Sequence, residues 1–394
     1  MAPLANAFEL FEKIQSADIS VHPQRCVVVR NRRATCSKCA DACTSGAISV
    51  RDNELFVAGE QCIGCGTCAT VCPTCALEAH RPNDVQLATA VLAAARANGG
   101  EAVIACRRLV EAAADALDAE KVVAVECLGR VEESLLTALA AAGARRVVLV
   151  GRECEACEHV AGFRAAGAVC STMAELMSAW QCPTTVELAE KLPSSVRAAG
   201  PKGYDESRRN FFFRAQEGAR LVAGVAAEAA VREAVGAPEE AEPPLVKVMD
   251  DGTLPHFVPD RRERILDNLS ALGEPEDRLL MTRLWGHVVI DAETCNSCRM
   301  CATFCPTAAI TKFDDDDGTI GIDHYPGDCV LCRCCEDICP TGALTLYDEV
   351  FAGDLLSGTV ERNEMKPPKY DLTSPKKSLF MFRDILDCPD IYER

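Results

Sequence analysis

The sequence predicts a mixed fold in which two small α+β modules, one near each end, flank a central α/β domain with a parallel sheet. Three observations predict it. The 25 cysteines form a dense group near each end of the chain and a sparser group between them. Short apolar runs alternate with alanine-rich runs in the middle of the chain, as in a parallel sheet covered by helices. The C-terminal group also repeats the order of strand, cysteine run and strand within itself, and the N-terminal group repeats its cysteine runs with a variation.

These patterns divide the chain into five segments. They are an N-terminal cysteine-rich module at 1–83, an α/β domain at 84–192, a helical region with a linker at 193–285, a C-terminal cysteine-rich module at 286–350, and an extended tail at 351–394. The tail is rich in proline and lysine and has too few apolar residues to fold alone, so we expect it to lie along a partner, with Phe380 and Phe382 as an anchoring point.

The predicted elements follow from local patterns. Buried strands are expected at 102–105, 122–125 and 146–150, and again at 287–290, 320–323 and 344–347, where apolar residues run together or alternate. Helices are expected at 85–97, 132–142, 206–235 and 261–272, and a linker rich in proline and glutamate is expected at 236–244.

The composition of the chain excludes several classes of function. The chain has 394 residues, 48% of them hydrophobic, and a formal net charge of −18, which argues against a nucleic-acid partner. Its acidic beginning does not resemble a signal peptide, and no run of about 18 apolar residues predicts a membrane span. We therefore expect a cytoplasmic, reducing location, with any membrane contact made through a partner protein. Cysteine at this density then indicates metal and not disulfides.

The C-terminal module has the most specific motif. Two consecutive runs have the spacing C-x2-C-x2-C-x3-C-P, in which three cysteines reach one [4Fe–4S] cubane and the fourth reaches the other. One cluster is expected to take Cys295, Cys298, Cys301 and Cys339. The other is expected to take Cys329, Cys332, Cys335 and Cys305. A zinc ribbon would need only one metal and four ligands.

The N-terminal module repeats this motif with a variation. Its regular run, together with one cysteine of the other run, predicts a cluster on Cys62, Cys65, Cys68 and Cys43. The second cluster is expected on Cys26, Cys36, Cys39 and Cys72. Regular spacing would place a cysteine where Arg33 stands, so Cys26 is the substitute. If Cys26 is not a ligand, the site holds a three-iron cluster or a ligand other than cysteine. Five cations make the intervening loop basic, either to offset cluster charge or to dock an acidic partner.

The remaining cysteines of the modules and the tail are predicted to be structural. Cys75 stands where the sister motif has Gly342, and Cys334 lies inside a ligand loop. We interpret both as packed thiols, and we interpret Cys170, Cys182 and Cys388 in the same way.

Both modules resemble the bacterial two-cluster ferredoxins, over about residues 20–80 and 286–350. The resemblance implies a ferredoxin-like α+β fold and four [4Fe–4S] clusters in all. It is specific for cluster type and does not specify a partner.

The central domain carries four further cysteines just beyond its predicted strands: Cys106, Cys127, Cys154 and Cys157. Loops at the carboxyl ends of parallel strands converge on one crevice, so we expect these thiols to form a cofactor-binding site. Such a site can hold an additional iron–sulfur cluster or a zinc ion, or the thiols can remain unmetallated.

The run VECLGRVEESLLTALAAAGARRVVLVGRECEACEH resembles the delta subunit of methyl-viologen-reducing hydrogenase, which passes electrons to heterodisulfide reductase. The resemblance covers about residues 100–160 and places Cys127, Cys154 and Cys157 in matching loops. It implies a [2Fe–2S] cluster on this domain.

We therefore expect an electron-transfer subunit of an anaerobic multi-subunit oxidoreductase, with no catalytic residue of its own. The resemblances imply as partners a hydrogenase, a molybdopterin formate dehydrogenase or a flavoprotein of the heterodisulfide-reductase type. One alternative is a freely diffusing polyferredoxin. Another is a thiol–disulfide enzyme that uses Cys154 and Cys157. No G-x-G-x-x-G motif follows a predicted strand, so no nicotinamide or flavin site is expected.

Overall fold

The computed structural model describes residues 18–198, 249 and 252–366, which form a mixed α/β structure. The predicted helix at 206–235, the linker at 236–244 and the tail beyond residue 366, with Phe380, Phe382 and Cys388, lie outside the described residues.

The N-terminal module contains two antiparallel strand pairs and three short helices. Its strands are β1 (Ile19–Val21), β2 (Ile48–Arg51), β3 (Glu54–Val57) and β4 (Leu77–Ala79), and its helices are α1 (Val27–Arg30), α2 (Lys38–Asp41) and α3 (Thr67–Val71). Strand β1 pairs with β4, and β2 pairs with β3. Side chains from both pairs, including Ile19, Leu55 and Leu77, pack with several cysteines in one small core.

The central domain has a parallel four-stranded sheet in the order β6–β5–β7–β8. Its strands are β5 (Glu101–Cys106), β6 (Val123–Val125), β7 (Arg146–Val150) and β8 (Thr185–Ala189), and its helices are α4 (Asp84–Ala97), α5 (Arg107–Ala112), α6 (Glu133–Ala141) and α7 (Val160–Ala179). Strand β5 is central because its interior is wholly apolar. Ala102 and Ile104 face one hydrophobic core, and Val103 and Ala105 face the other.

Capping residues fix where two of these helices begin. Asn83 Oδ1 accepts a hydrogen bond from the Gln86 amide at 2.8 Å, and Gln86 Oε1 accepts one from the Asn83 amide at 3.1 Å, so a capping box starts α4. The Glu132 carboxylate accepts the amides of Ser134 and Leu135 at 2.7 and 3.1 Å and caps α6.

Helix α8 (Asp260–Leu272) joins the modules to the central domain. Ile265 and Leu269 enter the central core, and the Arg261 guanidinium donates to Asp84 Oδ2 at 2.8 Å and to the Ala69 carbonyl at 2.7 Å. Arg130 also pairs with Asp84, at 2.6 Å. These cations hold the pKa of the Asp84 carboxyl far below its usual range, against the opposing effect of its burial. Asp84 is therefore ionised, and it links α4 to α8, whereas Arg261 also reaches the N-terminal module at Ala69.

The C-terminal module repeats the plan of the N-terminal one. Its strands are β9 (Leu279–Met281), β10 (His287–Ile290), β11 (Ile310–Asp314), β12 (Ile320–His324), β13 (Leu344–Tyr347), β14 (Glu349–Phe351) and β15 (Glu361–Met365), and its helices are α9 (Met300–Phe304) and α10 (Cys334–Ile338). Strand β10 pairs with β13 as β1 pairs with β4, and β11 pairs with β12 as β2 pairs with β3.

The expected start of an extended tail at residue 351 requires correction. Strand β14 pairs with β9, Ala352 and Leu355 are buried in the central core, and β15 adds a third strand beside β12. Residues up to 366 therefore belong to the folded structure. Among the helices in the described part of the chain, none has both the length and the apolar character needed to cross a bilayer.

Candidate metal centres

Three cavities in the two modules are each lined by four of the predicted ligand cysteines. The cysteine quartets are Cys26, Cys36, Cys39 and Cys72 in the first cavity, Cys43, Cys62, Cys65 and Cys68 in the second, and Cys305, Cys329, Cys332 and Cys335 in the third. The rest of each lining is mostly apolar. The structure thus brings together three of the quartets that the spacing predicts.

The fourth quartet lies in the C-terminal module. Burial raises the pKa of the Cys301 thiol, and the nearby thiols of Cys298, Cys339 and Cys295 raise it further. Cys298 has the same neighbours, and its pKa is raised to about 11, mainly by burial. These four cysteines are the set predicted for the remaining cluster of this module.

Cys26 has the same local backbone conformation as the first cysteines of two regular runs. A short 3-10 turn precedes Cys26, Cys62 and Cys329, and each cysteine ends its turn in an extended conformation with φ between −74° and −70°. In each case the cysteine amide donates to the carbonyl of the first residue of the turn. The irregular spacing therefore does not change the turn that leads the backbone into the first cysteine of the quartet.

A second repeated feature follows the fourth cysteine of each run. The residue three positions later has a positive φ in all four runs: 69° at Gly46, 48° at Cys75, 59° at Ala308 and 65° at Gly342. This left-handed turn favours glycine, so Cys75 and Ala308 hold a conformation that their side chains disfavour.

A hydroxyl group two residues after the same cysteine lies near its sulfur in every run. The Sγ to Oγ distances are 3.5 Å for Cys43 and Ser45, 3.7 Å for Cys72 and Thr74, 3.8 Å for Cys305 and Thr307, and 3.7 Å for Cys339 and Thr341. Hydrogen bonds to ligand sulfurs stabilise the reduced form of a cluster, so these hydroxyls are suited to tuning a redox potential.

The four central cysteines lie at the carboxyl edge of the parallel sheet. Cys106 ends β5, Cys127 follows β6, and Cys154 and Cys157 follow β7. Burial raises the pKa of Cys127 to about 11, and thiols at Cys106 and Cys154 add to the effect. The pKa of Cys154 is raised by burial and by Cys106 and Cys157. The structure thus groups the four thiols as predicted.

Two glycines leave the space that these central sulfurs occupy. A Cβ atom at Gly162 would lie 2.3 Å from Cys127 Sγ, and one at Gly151 would lie 2.4 Å from Cys154 Sγ.

In the described part of the chain, no group of three or more His, Cys, Asp or Glu side chains is arranged to hold a single metal ion.

The N-terminal module abuts both of its neighbours through its cysteine loops. On one side, Cys65 is near enough to Cys127 of the central domain to contribute to its raised pKa, after the larger effect of burial. On the other side, Thr35 donates from its amide and its hydroxyl to the Asp337 carboxylate, at 3.1 and 3.2 Å. Residue Thr35 adjoins Cys36, and Asp337 lies in α10 of the C-terminal module.

The basic loop of the N-terminal module also faces this inner junction. The Arg30 guanidinium donates to the Pro255 carbonyl at 2.6 Å and to the Cys305 carbonyl at 3.5 Å. Burial lowers the pKa of Arg30, and thiols at Cys334, Cys305 and Cys332 oppose that effect. Of the two interpretations from sequence, charge compensation fits Arg30, because its cation lies beside cysteines of the chain's own C-terminal module.

The two additional cysteines of the modules are buried. Cys334 Sγ lies 4.0 Å from Asn31 Nδ2 and 3.7 Å from the Phe304 carbonyl, at the junction between the modules. Cys75 lines a cavity beside Cys72. Cys170 and Cys182 pack against the central core.

The donor set fits an iron–sulfur cluster. Thiolate is the ligand of such clusters, and each cavity presents at least four cysteines in a mostly apolar lining. Burial and mutual proximity disfavour ionisation of so many thiols together, unless a positively charged group lies between them. Backbone amides also donate to sulfur, as the Ala76 amide does to Cys72 at 3.3 Å.

Comparison with known protein families supports the same chemistry. Residues 294–343 match the family model of the 4Fe-4S dicluster domain. Over these residues the C-terminal module is similar to a [4Fe–4S] dicluster domain. The chain therefore has an iron–sulfur electron-transfer role and carries at least two [4Fe–4S] clusters. Neither a search of curated proteins nor one of solved structures found a match to the chain.

Proposed function

We propose that this chain is an electron-relay subunit of a multi-subunit anaerobic oxidoreductase and that it carries four [4Fe–4S] clusters. The N-terminal module, in this proposal, is a second two-cluster ferredoxin-like domain. The central cysteines hold a fifth iron–sulfur centre on a domain of the hydrogenase-delta type, and the relay runs through all five sites.

The observation that carries the proposal is that the five cysteine quartets lie in one series. The central site adjoins the Cys62 quartet through Cys127 and Cys65. Within the N-terminal module, Cys39 contributes to the raised pKa of Cys68, after burial and Cys65. Within the C-terminal module, Cys301 makes a smaller contribution of the same kind to Cys335.

The step between the two modules completes the series. Asp337 follows the ligand cysteines of one module, and its contacts with Thr35 bring it next to Cys36 of the other. Cys332 likewise acts electrostatically on Lys38, which lies between Cys36 and Cys39. A series of this kind suits electron transfer across a protein, since each electron moves only between neighbouring clusters.

The two alternative functions use the same cysteines differently. A freely diffusing polyferredoxin would need the clusters and no fixed partner. A thiol–disulfide enzyme at Cys154 and Cys157 would need a thiol of lowered pKa, whereas burial and neighbouring thiols raise the pKa of Cys154. This observation favours the relay over the enzyme.

We further propose a cytoplasmic location and a hydrogenase, formate dehydrogenase or flavoprotein as the partner. Anaerobic affinity purification of the full chain from its native cells tests this part. Stoichiometric recovery of another oxidoreductase subunit is expected. Recovery of a cluster-loaded monomer alone would support the freely diffusing ferredoxin.

The relay itself is testable by EPR spectroscopy of the fully reduced protein. Neighbouring paramagnetic clusters broaden each other's signals, so we expect a magnetic interaction that links the two modules. Loss of the Cys39 quartet in Cys39→Ser should remove that interaction and leave the pairwise interaction within the C-terminal module. A spectrum of the wild-type protein that equals the sum of two independent modules would contradict the proposed series.

A further inference from the structure

A cavity of about 480 Å³ lies where the N-terminal module, the central domain and α8 meet. We call it the interdomain pocket. Its volume is typical of pockets that bind small molecules. The predicted cluster ligand Cys72 forms part of its wall, but none of the other three cysteines of that quartet lines it. The pocket therefore adjoins the cavity of that quartet and shares Lys38, Cys72 and Pro73 with it.

The floor of the pocket contains a buried cation without a polar partner at one of its nitrogens. Arg262 is only 7% exposed, its Nη1 atom has no hydrogen-bond partner, and its guanidinium lies over the Trp285 ring at 5.3 Å from the ring centroid. The Thr70 hydroxyl, on a residue that is 5% exposed, also lacks a partner and lines the same pocket. A buried donor without an acceptor is costly, so an acceptor atom placed at either group would be favourable.

The acidic groups of the floor do not supply that acceptor. Both Glu133 oxygens accept hydrogen bonds from the Arg283 guanidinium, at 2.7 and 2.6 Å. The Glu132 oxygens accept from the start of α6 and from the Ser134 hydroxyl. Arg261, the other buried arginine of the floor, is paired with Asp84. Among the buried arginines of the described residues, Arg262 is thus the one whose charge no direct ion pair neutralises.

The entrance of the pocket is also basic. Lys38 and Arg164 line it, both are exposed, and neither forms an ion pair with any residue in the described ranges. Asp41 is the one acidic side chain of the lining that is exposed, and it accepts a hydrogen bond from Ser37. Two exposed cations above a buried one favour entry of a negatively charged molecule.

We propose that the interdomain pocket binds a small oxyanion, a carboxylate or a phosphate group, on the Arg262 guanidinium and the Thr70 hydroxyl, with Lys38 and Arg164 at the entrance. Arginine and a hydroxyl donor form a set that suits either group. The bound anion adds negative charge beside Cys72. By linkage, reduction of the adjacent cluster weakens anion binding, and the anion lowers the cluster's midpoint potential. This consequence rests on the proposed cluster, whereas the anion site does not.

Isothermal titration calorimetry on the anaerobically purified full chain tests the site. Inorganic phosphate and acetate are titrated separately, with chloride at matched ionic strength as the reference, so that the two arms distinguish a phosphate group from a carboxylate. We expect one saturable site for at least one probe. Arg262→Gln should weaken binding at least about tenfold, and Thr70→Val should weaken it severalfold.

Two further variants keep the test valid if Arg262→Gln does not fold. Lys38→Gln and Arg164→Gln alter exposed side chains of the entrance, and together they should weaken binding and flatten its dependence on salt. Arg96→Gln removes an exposed arginine outside the pocket and should bind like the wild type. The proposal is overturned if neither probe binds saturably at up to about 10 mM, or if the entrance variant and Thr70→Val both bind like the wild type.

Discussion

The N-terminal module and the C-terminal module have the same backbone around their cysteines but different neighbours. Both use two antiparallel strand pairs, and both place a left-handed residue three positions after the fourth cysteine of a run. The C-terminal module has regular spacing and matches a known family over residues 294–343. The N-terminal module has nine residues between Cys26 and Cys36, where the regular pattern has two, and yet the four thiols of this quartet line one cavity. The lesson is that the local turn before the first cysteine, and not the count of residues after it, defines the quartet.

The neighbours of the two modules differ more than their interiors do. The N-terminal module contacts the central domain on one side, through α3, and the C-terminal module on the other, through Arg30 and Thr35. This position makes it the middle of the proposed relay. The same position places Arg30 of its basic loop beside the cysteines of the C-terminal module.

Loss of a complete cluster is the largest effect that the comparison predicts. If Cys26 is equivalent to Cys62 and Cys329, Cys26→Ser should lower the iron content by about four atoms per chain or leave a three-iron cluster with its own EPR signal. Cys75→Ser is the matched control in the same module and should keep the full iron content. Equal iron content in both variants would show that Cys26 is not a ligand.

The next largest effect is expected from a methyl group added at Gly162, where α7 of the central domain packs against Cys127 and against Thr67 of the N-terminal module. The Cβ atom of Gly162→Ala would lie 2.3 Å from Cys127 Sγ and 3.2 Å from Thr67 Oγ1. We expect the free energy of unfolding to fall by about 1–3 kcal/mol, measured by denaturant titration, because α7 and α3 must move apart.

Gly167→Ala is the control for that substitution, since it lies in the same helix and its Cβ atom would be 4.0 Å from the nearest neighbour, Leu188 Cδ1. It should raise the free energy of unfolding by about 0.5–1 kcal/mol through helix propensity. A similar change in both variants would mean that the close approach at Gly162 does not hold the junction.

The junction between the modules predicts a smaller, electrostatic effect. Arg30→Gln removes a cation beside Cys305 and Cys332, so the midpoint potential of that cluster should fall by on the order of 50 mV, measured by EPR-monitored redox titration. Arg32→Gln removes an exposed charge from the same loop and should leave the potential nearly unchanged. Equal shifts would place Arg30 no closer to the cluster than Arg32.

The smallest predicted effect distinguishes two hydroxyls that occupy equivalent positions. Thr307 donates to the Asp328 carbonyl at 2.9 Å, whereas Thr74 has Cys72 Sγ as its hydrogen-bond neighbour. Thr74→Val should therefore lower the potential of its cluster by roughly 20–40 mV, and Thr307→Val should lower its own by less. The reverse order would show that the hydrogen bond from Thr307 to the Asp328 carbonyl does not weaken its effect on the cluster.

Local elements of this fold follow from the sequence, and contacts between distant segments do not. The strands Arg146–Val150, His287–Ile290 and Leu344–Tyr347 have the predicted bounds, because each is a short apolar or alternating run. The pairing of β15 with β12 was missed, since residues 361–365 are polar and carry no apolar signal for a strand. The cysteine groupings were foreseen from spacing and strand ends.

The junctions were not foreseen, because they depend on single residues that look ordinary in the sequence. Gly129 and Gly162 lie outside every predicted helix and strand, although a Cβ atom at Gly129 would meet Thr67 and one at Gly162 would meet Cys127. Arg30 looked like one of several solvated cations, and Arg262 like part of an amphipathic helix. Burial of a polar group is a property of the folded chain, which sequence periodicity does not reveal.

The most direct test of the relay is the iron and acid-labile sulfide content of the anaerobically purified wild-type chain, with an EPR-monitored redox titration. Four cubanes predict about 16 irons per chain, and a central cluster adds about two to four more, lost in Cys154→Ser. A well-folded protein with about eight irons, all in the C-terminal module, would contradict the account.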